Sequence, residues 1–410
     1  MDTESSQRVH DELKNELFIS VTRLTDAFIT DAYERGVSDI HIDPEPSGIR
    51  VRMRVDGLLV DAYQFPTTVH AELIARLKIL SGLRTDEHFA PQDGRFRFTP
   101  RSANDESSWI DIRISIVPTY YGENAVLRLL SSHAEHFSLA ELGMHPDDER
   151  LAHHALSRST GMVIVTGPTG SGKTTTLYTL IRILAKRSVS LVTIEDPVEY
   201  SMPGVRQIQA NQRTGLTFAK GLRSILRQDP DILMVGEIRD TETAGLAVHA
   251  ALTGHLVLST LHTNDAATTL PRLLDMHIEP YLISSTVRLV IAQRLVRRIC
   301  TKCRYKVKIS VQERASLDID SHAEARELTH SFKGKGCESC NRSGYRGRIG
   351  VYELLPISDQ MQEAINRRAS ARELRALAET FGMRSMDADG IRKIAEGQTT
   401  IEEILRIRHE

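Results

Sequence analysis

The sequence has little that would tie the chain to a membrane, to the outside of the cell or to a nucleic acid. Its 410 residues contain no run of about 18 apolar residues, the length that a membrane-spanning helix needs. The first residues lack the basic start and apolar core of a secretory signal. A formal net charge of −2 gives no overall attraction to polyanions. We therefore expect a cytoplasmic protein that does not span a membrane and binds no nucleic acid directly.

Cysteine is also scarce, and all four cysteines fall into two pairs. Cys300 and Cys303 form one Cys-x-x-Cys pair, and Cys337 and Cys340 form the other. Where thiols stay reduced, two such pairs are typical of a tetrahedral Zn²⁺ site with four thiolate ligands. The gap between the two pairs is longer than is usual for zinc sites, so the residues between them should form a structural element of their own. Disulfides or a redox pair are the alternatives. A site with four protein ligands would be structural.

The sequence does have the length and the composition of a globular chain with several domains. Hydrophobic residues make up 40% and charged residues 26% of the chain, both ordinary values. In the first domain, Arg50, Arg52 and Arg54 alternate with apolar residues, which predicts a strand with a solvated or subunit-facing arginine face. The dipeptide Asp56-Gly57 then predicts a β-hairpin. We expect a mixed α/β domain here.

The middle of the chain alternates short apolar runs with helical segments. This pattern predicts a parallel sheet with helices on both faces. A helix is predicted from Tyr281 to Ile299, and Ser370 with Glu373 predicts a capping box in a final helical part. The predicted divisions are an N-terminal tail (1–20), an N-terminal α/β domain (21–132), a linker with one helix (133–157), a nucleotide-binding core (158–299), a cysteine-bearing element (300–345) and a C-terminal helical subdomain (346–410).

The strongest motif follows the first apolar run of the core. It reads Gly167-Pro168-Thr169-Gly170-Ser171-Gly172-Lys173-Thr174 and matches G-x-x-x-x-G-K-[ST], the loop whose backbone amides wrap the phosphates of a nucleoside triphosphate. Its glycines let the backbone approach the phosphates closely. Lys173 would neutralise the β- and γ-phosphates, and Thr174 would offer its hydroxyl to Mg²⁺. The sequence therefore predicts nucleotide binding and hydrolysis.

Three further polar positions follow apolar runs of the same core. Glu195 and Glu237 are acidic groups at the ends of neighbouring strands, an arrangement that could hold Mg²⁺ and polarise an attacking water. His262 could contact the γ-phosphate. From spacing alone, a solvated strand end is the alternative for each glutamate, and an ordinary polar residue is the alternative for the histidine. Ligands bind at the carboxyl ends of the strands in open α/β sheets, which is where all three are predicted to lie.

Together these runs resemble the GspE/PilB-type secretion and type IV pilus assembly ATPases. The similarity covers about residues 20–410. It implies a P-loop, RecA-like ATPase core that follows a PAS-like N-terminal α/β domain, assembled as a homohexameric ring. The runs that carry the similarity are Val37–Pro44, Pro91–Arg95, the phosphate loop, Thr193–Glu199, Leu222–Asp231, Val235–Asp240 and Gly254–Thr263.

The resemblance also implies roles for individual residues. Glu195 corresponds to the proposed general base of the family's Asp box, Glu237 to the acidic residue of an atypical Walker B motif, and His262 to the His box. Arg95 and Arg113 match family arginines that reach the nucleotide from the N-terminal domain. The cysteines match the tetracysteine zinc element of the assembly-type enzymes. ATP, Mg²⁺ and Zn²⁺ are the cofactors implied.

The function implied by the resemblance is that of a cytoplasmic motor peripheral to the inner membrane. Such a motor hydrolyses ATP and passes motion to an inner-membrane platform protein, which extrudes pilin-like subunits or secretion substrates. Only about twenty residues precede the first domain, so the further docking domain of many members is expected to be missing. The cysteine element favours assembly over retraction. The alternatives are a conjugation-type or DNA-uptake transport ATPase and, in another class, a nucleotide-gated regulatory or binding protein without turnover.

Overall fold

A computed structural model describes residues 3–14, 19–100, 109–131, 137–319 and 328–409 of the chain. The chain divides into two units, one formed by residues 1–135 with 336–346 and the other by residues 136–335 with 347–410. The predicted boundary between the first domain and the linker, at residues 132 and 133, lies outside the described residues. Within the described ranges, no helix is both long enough and apolar enough to cross a lipid bilayer.

The first unit is built around an antiparallel sheet of six strands. In chain order the strands are β1 (Val37–Glu45), β2 (Gly48–Val55), β3 (Leu58–Phe65), β4 (Gln92–Phe98), β5 (Ile110–Thr119) and β6 (Gly122–Ser131). Across the sheet their order is β3-β2-β1-β6-β5-β4. Strand β5 alternates buried isoleucines with half-buried polar residues, so one face of the sheet is covered and the other is solvated.

The described residues of this unit also form the helices α1 (Glu4–Leu13), α2 (Val21–Glu34) and α3 (His70–Leu80). Leu24 and Phe28 of α2 lie one turn apart and are fully buried in the core that also contains Ile40 of the sheet. Helix α1 falls in the segment predicted as a tail, and its Val9 is fully buried in the same core. The segment has few apolar residues, so its periodicity does not predict a helix.

The predicted hairpin is confirmed. Val55 pairs with Leu58 across the turn, and Asp56 and Gly57 have φ values of 47° and 90°, as a two-residue hairpin turn requires. The arginines of β2 lie on the half-exposed face of the sheet and form ion pairs with aspartates of β1 and β3. The pairs are Arg50 with Asp61, Arg52 with Asp43 and Arg54 with Asp39.

The second unit is built around a sheet of seven strands. They are β7 (Gly161–Thr166), β8 (Leu191–Glu195), β9 (Arg206–Gln209), β10 (Ile232–Val235), β11 (Leu256–Leu261), β12 (Val287–Ile299) and β15 (Tyr345–Pro356). Across the sheet their order is β15-β12-β7-β11-β10-β8-β9, and the pairs from β12 to β9 are parallel. The predicted parallel sheet is confirmed.

Helices cover both faces of this sheet, as predicted. They are α4 (Pro146–Ser157), α5 (Lys173–Ala185), α6 (Phe218–Ile225), α7 (Thr241–Leu252), α8 (Ala266–Asp275) and α9 (Pro280–Thr286). Alternate residues of β7 point into two different cores. Ile164 belongs to the core that contains Val248 of α7, whereas Val165 belongs to the core that contains Leu177 of α5. A strand covered on both faces is apolar throughout, which explains the continuous apolar runs of the sequence.

The predicted helix from Tyr281 to Ile299 is wrong over most of its length. Only the first residues are helical, in α9, and residues 287–299 form the 13-residue strand β12 beside β7. The segment is rich in β-branched residues and is buried on both faces. A buried apolar run of this kind has no clear period, so its sequence does not separate helix from strand.

The cysteine-bearing segment contains a two-stranded antiparallel ribbon of β13 (Arg304–Lys308) and β14 (His330–Gly334), with helix α10 (Val311–Ser316) between them. Four helices follow β15: α11 (Asp359–Asn366), α12 (Ala371–Thr380), α13 (Met386–Ala395) and α14 (Ile401–His409). Ser370 and Glu373 form the predicted capping box at α12. The segment predicted as helical thus begins with a strand of the main sheet.

Candidate functional site

The phosphate loop joins the fully buried strand β7 to the first turn of α5. Gly170 and Gly172 have φ values of 80° and 86°, in the left-handed region that glycine adopts without strain. A Cβ at Gly172 would also lie 2.8 Å from the side-chain Nε2 of Gln293, so a larger residue would have to displace that side chain as well as adopt a strained φ. The loop therefore requires glycine at this position. It leads into a helix N-terminus, where unpaired amides and the helix dipole attract anions.

The side chain of Lys173 is folded back onto this loop. Its Nζ donates hydrogen bonds to the carbonyl oxygens of Gly167 at 2.8 Å and Pro168 at 2.9 Å. Burial lowers the pKa of Lys173 to about 8, while the Glu237 carboxylate opposes this shift and Arg294 adds to it. The ammonium group thus lies against neutral oxygens in a partly desolvated place, where an anion would be a stronger partner.

Two polar supports under the loop are not predicted by the sequence. Thr176 donates to the side-chain oxygen of Gln293 at 2.6 Å, and both residues are buried. The Thr166 hydroxyl donates to the Leu261 carbonyl at 3.0 Å and accepts from the Thr263 amide at 3.0 Å. These bonds connect α5 to β12 and the end of β7 to the segment after β11. Gln293 directly follows a short apolar run, and only the sheet order reveals its place beneath the loop.

Glu237 and His262 lie together beyond the carboxyl ends of the neighbouring strands β10 and β11. Oε2 of Glu237 is 3.5 Å from Nε2 of His262, and its other oxygen pairs with Arg239. Burial and the nearby Lys173 ammonium lower the pKa of His262 below its ordinary value, against the opposing effect of Glu237. The imidazole is therefore neutral near pH 7. Because Glu237 acts on the pKa of Lys173, and both groups act on the pKa of His262, the three side chains share one electrostatic environment.

Glu195 is the last residue of β8 and is held by a separate set of donors. Thr193 donates to Oε1 at 2.6 Å, Gln207 donates to the same oxygen at 3.2 Å, and the Tyr178 hydroxyl donates to Oε2. The Glu195 residue is only 3% exposed. Burial, together with this bond to a carboxylate, raises the pKa of Tyr178, so the phenol keeps its proton and acts as a donor.

The sheet order separates Glu195 from the other site residues. From the loop strand outward the neighbours are β7, β11, β10 and β8. Three strand spacings place the end of β8 about 14 Å from the end of β7. The structure thus brings Glu237 and His262 together with Lys173, and it places Glu195 farther along the same edge of the sheet.

Thr174 and Glu237 offer the oxygen ligands that Mg²⁺ prefers. Thr174 lies in the first turn of α5 and is exposed, so its hydroxyl is accessible from solvent. Glu237 is mostly buried and carries one carboxylate at the same edge of the sheet. The donor set fits a hydrated Mg²⁺ ion that is bound through one or two protein oxygens and the phosphates of a nucleotide.

Arg95 and Arg113 lie directly opposite each other on strands β4 and β5 of the first unit. Arg113 in turn lies opposite Arg128 of β6, and Arg128 donates to Asp39 at 3.0 Å. The strand register thus places three arginines in one row across β4, β5 and β6. Arg128 carries no signal in the sequence, because only the strand register places it beside the other two.

The four cysteines form one cluster, as predicted. Their Sγ atoms all lie within 4.8 Å of one another, and those of Cys337 and Cys340 are 3.7 Å apart. Four sulfurs at the usual zinc distance would be roughly 3.8 Å from one another. Cys300 and Cys340 are buried, and the Cys337 amide donates to the sulfur of Cys340 at 3.1 Å. The donor set fits a tetrahedral thiolate site.

Comparison with known proteins places these features in a family. A family model described as "Type II/IV secretion system protein" matches residues 14–406. The type II secretion system protein HxcR of Pseudomonas aeruginosa is 46% identical over 390 residues, which cover 95% of this chain and 78% of that protein. The type IV pilus assembly ATPase PilB of Myxococcus xanthus is 43% identical over 385 residues, which cover 94% of this chain and 67% of that protein.

Solved structures agree with the predicted fold. The pilus retraction motor PilT with bound ADP is 26% identical, with a TM-score of 0.61, over 93% of this chain and 96% of that chain. The ATPase DotB of Yersinia pseudotuberculosis has a TM-score of 0.70 at 20% identity over 96% of each chain, a likeness of fold alone. The predicted RecA-like core with an N-terminal α/β domain is confirmed. Because the family model and the relatives cover nearly the whole chain, the chain belongs to the type II/IV secretion system protein family of ATPases.

Proposed function

We propose that this chain is the ATPase motor of a machine that assembles a type IV pilus or pseudopilus or drives type II secretion. The observation that carries the proposal is the convergence of Lys173, Glu237 and His262 beside a phosphate loop. Relatives named for type II secretion and pilus assembly support the pathway. They favour it over the conjugation-type alternative.

Binding of ATP would use groups that already lie at the loop. The Lys173 ammonium would exchange the carbonyls of Gly167 and Pro168 for the β- and γ-phosphates, a charged partner in place of two neutral ones. The amides at the start of α5 would donate to the same phosphates. Thr174 and Glu237 would hold Mg²⁺, which would neutralise charge on the transferred phosphate.

Hydrolysis requires positioning and charge stabilisation more than covalent chemistry. His262, neutral near pH 7 and next to Glu237, would contact the γ-phosphate and report its loss. Glu195 is proposed as the general base that orients the attacking water, with a carboxylate fixed by three donors. Arg95 and Arg113 are proposed to bring positive charge to the nucleotide phosphates, a role that fits their cross-strand pairing.

The remaining elements of the proposal concern assembly. Zn²⁺ held by the four cysteines would be structural, because four thiolates leave no open coordination position. The chain would act as a homohexamer in the cytoplasm, at the inner membrane, and would transmit motion to an integral platform protein. These properties rest on the membership of the family.

Steady-state phosphate release from Mg²⁺-ATP by the purified full chain tests the proposed function. The wild-type chain should turn over, and Lys173→Ala should lower the rate at least about 100-fold, the usual cost of one electrostatic donor in such a site. Lys186→Ala, which changes an exposed lysine at the other end of α5, is the matched control and should leave the rate unchanged. Equal turnover by wild type and Lys173→Ala would refute the proposal.

A further inference from the structure

Tyr178 is a buried tyrosine on the helix that begins at the phosphate loop. It lies five residues after Lys173 in α5, and its side chain is fully buried. The sequence gives it no role, because a single tyrosine on a helix face is ordinarily part of a core. Its hydroxyl nevertheless makes two hydrogen bonds with the segment that follows β8.

The first bond joins the Tyr178 hydroxyl to Glu195, where it donates to Oε2. The second comes from the backbone amide of Glu199, which donates to the same hydroxyl oxygen at 3.2 Å. One phenol group therefore serves as donor to the acidic residue and as acceptor from the loop that follows it. A backbone amide can only donate, so the single proton of the phenol is left for the Glu195 carboxylate.

Neighbouring groups fix the same carboxylate and the same ring. Thr193 and Gln207 occupy Oε1 of Glu195 at 2.6 and 3.2 Å, and Gln207 also donates to the Tyr200 carbonyl at 3.1 Å. The ring of Tyr200 packs edge-on against that of Tyr178, with centroids 4.6 Å apart. Among the donors to Glu195, only Tyr178 comes from the helix that carries Lys173.

We propose that Tyr178 is a positioning residue, whose hydroxyl ties Glu195 and the backbone at Glu199 to α5 and so fixes the acid relative to the phosphate loop. The inference rests on the proposed function, since it gives Tyr178 a task only if Glu195 acts on the nucleotide held by that loop. Glu195 ends β8, three strands away from the loop strand β7. The hydroxyl of Tyr178 on α5 nevertheless reaches it and connects the two.

Tyr178→Phe, which removes only the hydroxyl, is the direct test in the full chain. We expect kcat for ATP to fall about 10-fold to 100-fold, as when outer partners of an active-site group are removed, with KM and the affinity for a fluorescent ATP analogue nearly unchanged. Tyr200→Phe is the matched control: its ring also packs here, but its hydroxyl bonds Arg182, so kcat should stay near wild type. An unchanged kcat in Tyr178→Phe, or equal losses in both variants, would overturn the inference.

A double-mutant cycle separates positioning from a general structural effect. If Tyr178 acts through Glu195, Tyr178→Phe should have little further effect on kcat in a Glu195→Gln background. Multiplicative losses would contradict the inference. If thermal melting shows that Tyr178→Phe is unfolded, Thr193→Val takes its place, since it removes a donor to the other oxygen of Glu195 and should lower kcat with KM nearly unchanged. Should Lys173→Ala keep full activity, the proposed function fails; should only the Tyr178 tests fail, that function stands without this role.

Discussion

Two buried lysines of the second unit have the same shifted pKa and different partners. Burial lowers the pKa of both Lys173 and Lys393 to about 8. Lys393 is fully buried and pairs with Asp389. The Asp389 carboxylate also pairs with Arg392 and accepts a hydrogen bond from the Tyr352 amide. Lys173 donates to two neutral carbonyls. The two lysines are therefore alike in burial and in pKa, and they differ in their partners. The charge of Lys393 is balanced by Asp389, whereas Lys173 would gain from binding an anion.

The four cysteines belong with Lys173 in this comparison. Their sulfurs lie close together, and as thiolates they would repel one another without a bound cation. The network of Asp389 and Lys393, in contrast, carries acids and bases in contact and is complete as it stands. Clusters of groups that would carry charge of one sign are where ligands are to be expected.

Removing the proposed zinc ion should have the largest effect on stability. Structural Zn²⁺ contributes on the order of 10 kcal/mol to folding of such sites. Stripping zinc with a chelator under denaturant-free conditions should unfold the cysteine-bearing segment, as monitored by hydrogen exchange of β13 and β14, while affinity for a fluorescent ATP analogue stays near that of the metal-loaded chain. A purified chain that contains no metal would contradict the zinc assignment. So would hydrogen exchange in β13 and β14 that does not change when the chelator is added.

Breaking the ion pair of Lys393 and Asp389 should have the second-largest effect on stability. Lys393→Met leaves the Asp389 charge buried with fewer partners and should cost about 3 kcal/mol in free energy of unfolding. Chemical denaturation measures this change, with Lys186→Met as an exposed control that should stay within about 0.5 kcal/mol of wild type. Nucleotide affinity of the folded Lys393→Met chain should be unchanged. A lower nucleotide affinity in the folded Lys393→Met chain would show that Lys393 also affects the nucleotide site, and would contradict the difference drawn between the two lysines.

The smallest expected effect is on the pH dependence of nucleotide affinity. In the free chain, Lys173 has a pKa of about 8, and an anionic ligand favours its charged form. Binding of a nucleotide must then take up a proton above pH 8, so affinity should fall by up to about tenfold per pH unit between pH 8 and 10. Lys173→Arg keeps its charge over this range and should show a flatter dependence. Identical pH profiles for wild type and Lys173→Arg would argue against Lys173 as the phosphate ligand.

The parts of the site that the sequence predicts are local. The phosphate loop, Glu237 and His262 each follow directly on an apolar run, so strand ends and polar residues can be read together. The hairpin at Asp56 and Gly57 is local in the same sense. Short-range chemistry determines all of these features.

The parts that the sequence does not predict depend on which strands become neighbours. Gln293 supports the loop only because β12 pairs with β7, and β12 itself was predicted as a helix. Arg128 joins Arg113 only through the strand register. The bond from Tyr178 to Glu195 requires the position of α5 over the sheet. Strand order and helix placement are properties of the whole unit, and no short stretch of sequence contains them.

A crystal structure of the chain with Mg²⁺ and a non-hydrolysable ATP analogue tests the central claim most directly. The account predicts that Nζ of Lys173 leaves the carbonyls of Gly167 and Pro168 and lies about 2.8 Å from phosphate oxygens, while Lys393 keeps its bond to Asp389. A triphosphate bound away from this loop, or a Lys173 that stays on the carbonyls with the nucleotide in place, would contradict it.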